Sequence, residues 1–248
     1  MNILGIIPAR FQSSRFPGKP LADINGKSML LRVYEQSSKA FAHVYVATDN
    51  KNIFEHVKLF GGNVVITSNT HKSGTDRCAE ALDIISKKLN KQFDVVVNIQ
   101  GDEPFIEPEQ LKLLVSLFKN SDTQISTLIK KITKIEDIFD KNKPKVVFNK
   151  YNQAIYFSRL PIPFLKNIPE NEWLQKGTFY KHIGLYAYKT SVLKDITELK
   201  TSFLENAESL EQLRWLENGY KISVEITEIE TISVDTPEDL ERAILFGR

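Results

Sequence analysis

Short apolar runs alternate with longer amphipathic segments through the first half of this 248-residue chain. The pattern predicts strands at 2–8, 43–48, 63–67 and 93–99, and helices at 28–40, 51–60, 75–90 and 108–119. Such alternation is typical of an α/β fold, in which helices flank a mostly parallel central sheet. Ligands of such sheets bind beyond the carboxyl ends of the strands, where the strand order reverses. The loops after the first and fourth strands are therefore expected to form the site.

The second half of the chain is less regular and richer in predicted β-structure. It predicts strands at 124–130, 145–157, 180–188, 221–227 and 231–234, with a hairpin turn at 150–152, and helices at 190–198, 209–216 and after Pro237. Residues 158–179 carry three prolines and several aromatic side chains without a clear period, which predicts a long excursion. We expect one main domain, because α/β folds of this length often form one.

Composition narrows the possible partners. The 33 basic residues nearly balance the 31 acidic ones, so no overall field favours a nucleic acid or an anionic membrane. The apolar start is too short for a secretory signal, and no apolar run reaches the length of a membrane span. A cytoplasmic protein without a membrane segment is expected. The single cysteine, Cys78, stands on the apolar side of a predicted helix and is interpreted as a core residue rather than a catalytic thiol.

A basic, proline-framed loop follows the first predicted strand. The chain is expected to leave the sheet at Pro8, because proline has no N–H for a continuing ladder. Residues 8–20 then contain Arg10, Arg15 and Lys19 among hydroxyls and further prolines, with Gly18 allowing the main chain to approach a ligand closely. The loop predicts a polyphosphate cradle, and a merely solvated basic loop is the alternative.

Two carboxylates are candidate metal ligands. Asp102 follows the fourth strand in a glycine-containing turn, and Mg²⁺ usually binds through one or two carboxylates plus phosphate oxygens. Turn chemistry or capping of the next helix would explain Asp102 equally well. Asp235 precedes Thr236 and Pro237, and by pattern alone it is better explained as the cap of the helix that follows.

A third cluster, residues 71–77, is a glycine turn that enters a helix. Backbone amides at a helix start can bind an anion, and the cation Arg77 in the first turn is unfavourable for the helix dipole, which suggests another purpose for it.

With these clusters in order, the chain resembles the 3-deoxy-D-manno-octulosonate cytidylyltransferases, also called CMP-Kdo synthetases. The resemblance runs from end to end. It is carried by IPAR at 7–10, SRFPGKPL at 14–21, VATD at 46–49, HKSGTDR at 71–77, QGDEP at 100–104, YFSR at 156–159, HIGLY at 182–186, LEQLR at 210–214 and VDTPEDL at 234–240.

The resemblance implies a nucleotidyltransferase fold of the glycosyltransferase-A, Rossmann-like kind, with a nucleotide-binding half at 1–120 and a β-rich half for the sugar acid and dimerisation at 121–248. It also implies a homodimer that uses CTP and Mg²⁺. The metal ligands implied are Asp102 and Asp235, and the catalytic groups are these two with Arg10 and Lys19. The nucleotide-binding residues implied are Pro8, Ala9, Arg10, Ser14, Arg15, Lys19, Arg77 and Gln100. The residues implied for the sugar acid are Gln100, Arg159, His182, Tyr186, Glu211 and Gln212.

The implied reaction transfers CMP from CTP to the anomeric hydroxyl of the octulosonate (Kdo) and releases pyrophosphate, in lipopolysaccharide biosynthesis. The alternatives are a cytidylyltransferase for the 8-amino sugar acid or for a sialate, and a nucleotide-binding protein without turnover.

Overall fold

Strands and helices alternate along the computed structural model, which describes residues 1–12, 16–230 and 232–247. The strands are β1 (Ile3–Ala9), β2 (Asp23–Ile24), β3 (Lys27–Ser28), β4 (Val44–Thr48), β5 (Val64–Ile66), β6 (Val95–Asn98), β7 (Ile125–Lys131), β8 (Lys145–Phe148), β9 (Ala154–Ser158), β10 (Tyr180–Lys189) and β11 (Ile222–Ile226). The α-helices are α1 (Met29–Ala40), α2 (Lys51–Leu59), α3 (Gly74–Leu89), α4 (Pro108–Ser116), α5 (Ile135–Phe139), α6 (Trp173–Lys176), α7 (Thr190–Thr197), α8 (Phe203–Glu208), α9 (Gln212–Glu217) and α10 (Pro237–Phe246). The predicted α/β class is confirmed.

The chain folds as two compact units built from separate stretches. Unit 1 comprises Met1–Lys112, Lys189–Thr197 and Glu230–Arg248, and unit 2 comprises Leu113–Tyr188 and Glu198–Ile229. The single domain with halves at 1–120 and 121–248 stays a prediction.

Unit 1 contains the predicted parallel sheet. Strand β1 pairs in parallel with β6 on one side and with β4 on the other, and β4 pairs in parallel with β5. The chain therefore adds strands on one side of β1 and then returns to place β6 on its other side, so the strand order reverses between β1 and β6. This confirms the prediction that the loops after the first and fourth central strands share one edge of the sheet.

The end of β1 differs from the prediction, because the strand continues through Pro8 to Ala9. On the β4 side, Gly5 donates its N–H to His43, while on the β6 side the carbonyl of Ile6 accepts from Ile99. Successive residues alternate between the two sides, so Pro8 faces the β6 side with Ile6. Pairing with β6 runs from Ile3 to Ile6 only. Proline therefore removes no ladder hydrogen bond, and the strand is not interrupted.

Unit 2 is built around β7, which pairs in parallel with β11 and antiparallel with β10. The predicted hairpin is confirmed as β8 and β9, which pair antiparallel around a turn that places Asn152 at a positive φ of 54°. In the excursion at 158–179, Trp173 of α6 is buried with Ile132, Ile138 and Phe179.

One predicted strand is not formed by the described residues, and one predicted helix begins later than expected. Residues 232–234 form no strand, and residue 231 lies outside the described residues. The helix predicted at 209–216 begins only at Gln212, since Ser209 adopts a left-handed φ of 51° that ends the unpredicted helix α8. Cys78 is fully buried in α3, as predicted. Within the described residues, no helix combines the length and apolarity needed to cross a membrane.

Candidate active site

The loops at the carboxyl ends of β1 and β6 pack tightly in unit 1. A Cβ added at Gly101 would lie 3.3 Å from the carbonyl oxygen of Pro8, and one added at Gly74 would lie 3.3 Å from Pro8 Cγ. Both distances are tighter than ordinary van der Waals contact, so glycine lets the turn after β6 and the start of α3 approach β1. Four of the residues that the resemblance implies for nucleotide binding lie at this edge, at or directly after the ends of β1 and β6: Pro8, Ala9, Arg10 and Gln100.

A lysine and two carboxylates meet at this edge. The Lys19 ammonium donates to Asp102 Oδ2 at 2.6 Å and to Asp235 Oδ1 at 3.1 Å. The Lys19 side chain is 13% exposed, against 26% for Asp102 and 40% for Asp235. One cation between two anions leaves these three side chains with a net charge of −1. These side chains can therefore bind further positive charge. Their partial burial limits the screening of that interaction by solvent.

The main chain around these residues explains why they converge. Gly18 has a φ of 72°, which favours glycine, and begins the short 3-10 turn that carries Lys19. Its N–H donates to the carbonyl of Phe11 at 2.9 Å and closes the basic loop. The N–H of Val234 donates to the Asp102 carbonyl at 2.9 Å, which fixes Asp235 beside Asp102. The predicted nucleotide residues Ser14 and Arg15 lie outside the described residues.

A small hydrophobic cluster supports the same three segments. Ile24, Met29, Val234 and Ala243 are fully buried in it, and further apolar residues pack against them, including Phe16 and Ala22 on either side of Lys19 and Phe105 after Asp102. Packing of these segments against one another holds their polar residues at short range.

The capping interpretation of Asp235 is wrong. Thr236 is the N-cap of α10, and its hydroxyl accepts from the N–H of Asp239. Asp239 in turn accepts from the N–H groups of Asp235 and Thr236, which completes a capping box. Hydrogen bonds from these N–H groups and the Thr236 hydroxyl outweigh the opposing effect of burial and lower the pKa of Asp239. The helix start is satisfied by Thr236 and Asp239, and the Asp235 carboxylate is directed to Lys19.

Asp102 and Asp235 suit Mg²⁺, judged by their chemistry. Their oxygens are hard donors that already share one cation, and Mg²⁺ takes one or two carboxylates while phosphates and water fill its other positions. Among the described residues, no group of three or more His, Cys, Asp or Glu side chains could hold a metal ion. The pair therefore fits a Mg²⁺ that arrives with a polyphosphate, and does not fit an all-protein cage.

Arg77 is a fully buried residue in the first turn of α3. Its guanidinium donates to Asp49 Oδ2 at 2.9 Å and to Thr67 Oγ1 at 2.6 Å. These partners follow β4 and β5, so Arg77 connects the ends of two strands to a helix start. This accounts for the cation that the helix dipole disfavours, and a contact from Arg77 to nucleotide stays a prediction.

In unit 2, the side chain of Arg159 is held by main-chain carbonyls. Nε donates to Glu208 at 2.6 Å, Nη1 to Lys141 at 2.9 Å and Nη2 to Ser209 at 3.2 Å. The Glu208 carboxylate also accepts from the Arg159 N–H at 2.9 Å. A guanidinium has five N–H donors, so two remain for a carboxylate of a ligand.

His182 lies on β10 with its ring between aromatic neighbours. The ring centroid is 5.1 Å from that of Phe157 and 5.2 Å from that of Tyr186. Nε2 lies 3.0 Å from the hydroxyl oxygen of Thr127. Although His182 as a whole residue is partly exposed, loss of solvation lowers its pKa from 6.5 to about 3. The imidazole is therefore neutral at physiological pH.

Two of the predicted sugar-acid residues, Tyr186 and Gln212, carry buried polar atoms whose hydrogen bonding is incomplete. Gln212 Nε2 makes no hydrogen bond to any described residue, and the Tyr186 hydroxyl has only a weak interaction with the Thr127 side chain. Burial, with Tyr188 and Glu211 nearby, holds the pKa of Tyr186 well above its usual value. Buried polar groups in native proteins are nearly always paired, so unpaired ones indicate a ligand or water that satisfies them. Glu211 precedes Gln212 in the chain, and its Oε1 lies 3.8 Å from Nη2 of Arg214.

Sequence reasoning missed several residues that support these groups. Asp49 pairs with Arg77, Glu208 holds Arg159, and Thr127 contacts His182. Lys145 is fully buried and donates to the Arg159 carbonyl at 2.7 Å, and burial lowers its pKa. The position of Lys145 at the start of the apolar run of β8 was a signal that this lysine is buried. The sequence contained no signal for the roles of Asp49, Glu208 and Thr127.

Comparison with known proteins gives a consistent result. The family model described as cytidylyltransferase matches residues 4–225. The 3-deoxy-manno-octulosonate cytidylyltransferase of Parabacteroides distasonis is 58% identical over 250 aligned positions, and the alignment covers 99% of this chain and 98% of that relative. The enzyme of the same name from Bacteroides thetaiotaomicron is 57% identical over 249 residues, with 99% and 98% covered. A solved structure of CMP:2-keto-3-deoxy-manno-octonic acid synthetase complexed with CTP superposes with a TM-score of 0.90 at 38% identity, covering 100% of this chain and 98% of that one.

Proposed function

The chain belongs to the cytidylyltransferase family, among the 3-deoxy-manno-octulosonate cytidylyltransferases, and we propose that it transfers CMP from CTP to the anomeric hydroxyl of 3-deoxy-D-manno-octulosonate. Pyrophosphate is the second product, and the sugar nucleotide serves lipopolysaccharide biosynthesis. The observation that best supports this activity is the meeting of Lys19 with Asp102 and Asp235 at the edge where the strand order reverses.

The proposed reaction is an in-line substitution at the α-phosphorus. The anomeric oxygen forms a bond to phosphorus and loses its proton, while the bond to the β-phosphate oxygen breaks and pyrophosphate leaves. Phosphoryl transfer of this kind requires positioning and charge stabilisation rather than covalent work by the protein. Lys19, with Arg10 and Arg15 of the same loop, supplies positive charge for the departing pyrophosphate.

Asp102 and Asp235 are the residues that would hold Mg²⁺ in this proposal. The ion, when bound, neutralises phosphate charge and acidifies an oxygen that it contacts. Lys19, whose ammonium contacts both carboxylates, would then be available to a phosphate oxygen, because a doubly charged cation would satisfy both carboxylates better than one lysine does.

For the sugar acid we propose Arg159, His182, Tyr186, Glu211 and Gln212 of unit 2. The two remaining guanidinium donors of Arg159 suit the substrate carboxylate. The Gln212 amide, which has no partner among the described residues, and the Tyr186 hydroxyl suit sugar hydroxyls as hydrogen-bond partners. Gln100 is proposed to contact both substrates, and Pro8, Ala9, Ser14 and Arg77 are proposed to contact the nucleotide.

Pyrophosphate release tests the proposed activity. The purified protein is incubated with CTP, Mg²⁺ and the octulosonate, and then with its 8-amino analogue or a sialate as competing acceptor. We expect rapid release with the octulosonate and slower release with the others. A preference for either analogue would change the assigned substrate, and calorimetric binding of CTP without release would indicate a non-catalytic nucleotide-binding protein.

We also propose a cytoplasmic homodimer, on the same family resemblance. Sedimentation equilibrium checks the assembly, for which a mass near twice 28.4 kDa is expected. A mass of one chain across the concentration range would contradict the dimer.

A further inference from the structure

Thr127 is a fully buried residue of β7 whose hydroxyl lies within hydrogen-bond distance of three polar atoms on β10 and also interacts weakly with the Tyr186 hydroxyl. Pairing between the two strands is irregular between Ile183 and Tyr186, and Thr127 stands opposite Tyr186 at the end of that irregularity. Its Oγ1 lies 2.7 Å from the carbonyl oxygen of Leu185, 3.2 Å from that of Ile183 and 3.0 Å from His182 Nε2.

Counting protons assigns the direction of these hydrogen bonds. A threonine hydroxyl has one proton, and both carbonyl oxygens can only accept. The proton therefore goes to the nearer carbonyl, that of Leu185, because otherwise two oxygen lone pairs would face each other at 2.7 Å. The hydroxyl oxygen must then accept from His182, so the Nε2 atom of the histidine carries the proton. The other ring nitrogen, Nδ1, is left with a lone pair.

The remaining contacts restrict the position of the ring. The rings of Phe157 and Tyr186 pack against the imidazole, and the main-chain N–H of His182 donates to the Pro144 carbonyl at 2.8 Å. No described residue hydrogen-bonds to Nδ1. His182 is partly exposed, whereas Thr127 is fully buried, so of the two residues His182 is the one placed to contact a ligand.

We infer that Thr127 is a positioning residue that holds His182 as the Nε2–H tautomer and thereby presents Nδ1 as a hydrogen-bond acceptor to a hydroxyl of the sugar acid. The inference about the acceptor rests on the proposed function; the tautomer itself does not. The lowered pKa of His182 agrees with it, because a protonated imidazole would offer two donors and no acceptor.

The tautomer is measured by long-range ¹H–¹⁵N NMR of the full-length protein at pH 7. The chain has four histidines, and His182→Gln identifies the signals of this one. We expect the Nε2–H pattern in the wild type. In Thr127→Val, which keeps the side-chain shape, Nε2–H loses its acceptor, and we expect the Nδ1–H population to rise about fivefold or more. Thr127→Ser should restore the wild-type pattern.

Thr123→Val is the matched control. Thr123 is also buried and also donates to a main-chain carbonyl, that of Leu117 at 2.8 Å. This variant should leave the His182 tautomer unchanged. An Nδ1–H or doubly protonated His182 in the wild type would overturn the inference, as would an unchanged tautomer in Thr127→Val. The wild-type spectrum decides the matter even if Thr127→Val fails to fold.

Steady-state kinetics test the acceptor role. Thr127→Val should raise KM for the octulosonate about tenfold, with little change in kcat or in KM for CTP, because it removes one hydrogen bond to the sugar acid. An equal rise in both KM values, or no recovery in Thr127→Ser, would refute this role. If the wild type turns over no octulosonate, the proposed function fails, while the NMR result still decides whether Thr127 sets the tautomer.

Discussion

Replacing Lys19 by methionine tests whether its ammonium occupies the position of a metal ion. Methionine keeps most of the side-chain length and removes the charge that Asp102 and Asp235 share. The variant leaves two carboxylates facing each other, which a divalent cation can relieve. We therefore expect the apo variant to be less stable than the wild type and to respond more strongly to Mg²⁺ in the absence of nucleotide.

The expected loss follows from the burial of the pair. Exposed ion pairs contribute about 0–1 kcal/mol, whereas hydrogen bonds to charged groups that are partly buried contribute about 1.5–3 kcal/mol. With side-chain exposures of 13% for Lys19 and 26% for Asp102, the pair lies between these cases. We expect a loss of about 1–2 kcal/mol, which lowers Tm by about 2–8 °C for a protein of this size.

Thermal unfolding followed by far-UV circular dichroism, with and without Mg²⁺, measures both effects. Tryptophan fluorescence is unsuitable, since Trp173 and Trp215 both belong to unit 2. Lys27→Met is the control, because Lys27 pairs with Glu35 at 2.7 Å on the surface of unit 1. An equal rise in Tm with Mg²⁺ in the wild type, the control and Lys19→Met would refute the idea that the ammonium and the metal compete.

Three further results are expected. Asp102→Asn should lower turnover by orders of magnitude with an unchanged circular dichroism spectrum. Asp23→Asn, at an exposed position, is the control and should leave turnover unchanged. Near-normal activity of Asp102→Asn would contradict the proposed metal role of Asp102. Because the folded protein keeps His182 neutral down to about pH 3 and the unfolded chain protonates it near pH 6.5, the free energy of unfolding should fall as pH drops through this window. The contribution of His182 to the slope of unfolding free energy against pH approaches about 1.4 kcal/mol per pH unit. In urea unfolding, His182→Gln should lack this contribution. The same slope in the wild type and in His182→Gln would contradict a buried neutral histidine. Thr236→Ala should reduce stability by about 1 kcal/mol in the same assay by removing the α10 cap, and no loss would show that the cap is unimportant.

Local patterns predicted the elements of the site well. Alternating runs placed β1 and β6, and Ser73 and Thr236 are the N-caps of two predicted helices. These features depend on neighbouring residues in the chain, so hydrophobic period and capping preference determine them. The reversal of strand order followed from the same pattern and placed Asp102 at the correct edge.

Contacts between distant residues were not predictable in the same way. Lys19 is separated by 83 residues from Asp102 and by 216 from Asp235, and no local pattern shows that one ammonium serves both. The fully buried pairing of Arg77 with Asp49 depends on how β4 packs against α3, and the sequence does not show this packing. From the sequence alone, Arg77 was therefore interpreted as a ligand-binding cation. The strand β1 continues past Pro8 because its pairing with β6 ends at Ile6, and Pro8 faces the β6 side. The sequence does not show where that pairing ends.

The fate of labelled phosphate in CTP tests the central claim most directly. The wild-type protein is incubated with Mg²⁺, the octulosonate and CTP labelled with ³²P either at the α- or at the γ-phosphate, and the products are separated. Attack at the α-phosphorus predicts that the α-label enters the sugar nucleotide and that the γ-label leaves in pyrophosphate, with both transfers lost in Asp102→Asn. Label from the γ-phosphate on the sugar, or α-label transfer that survives in Asp102→Asn, would contradict the account.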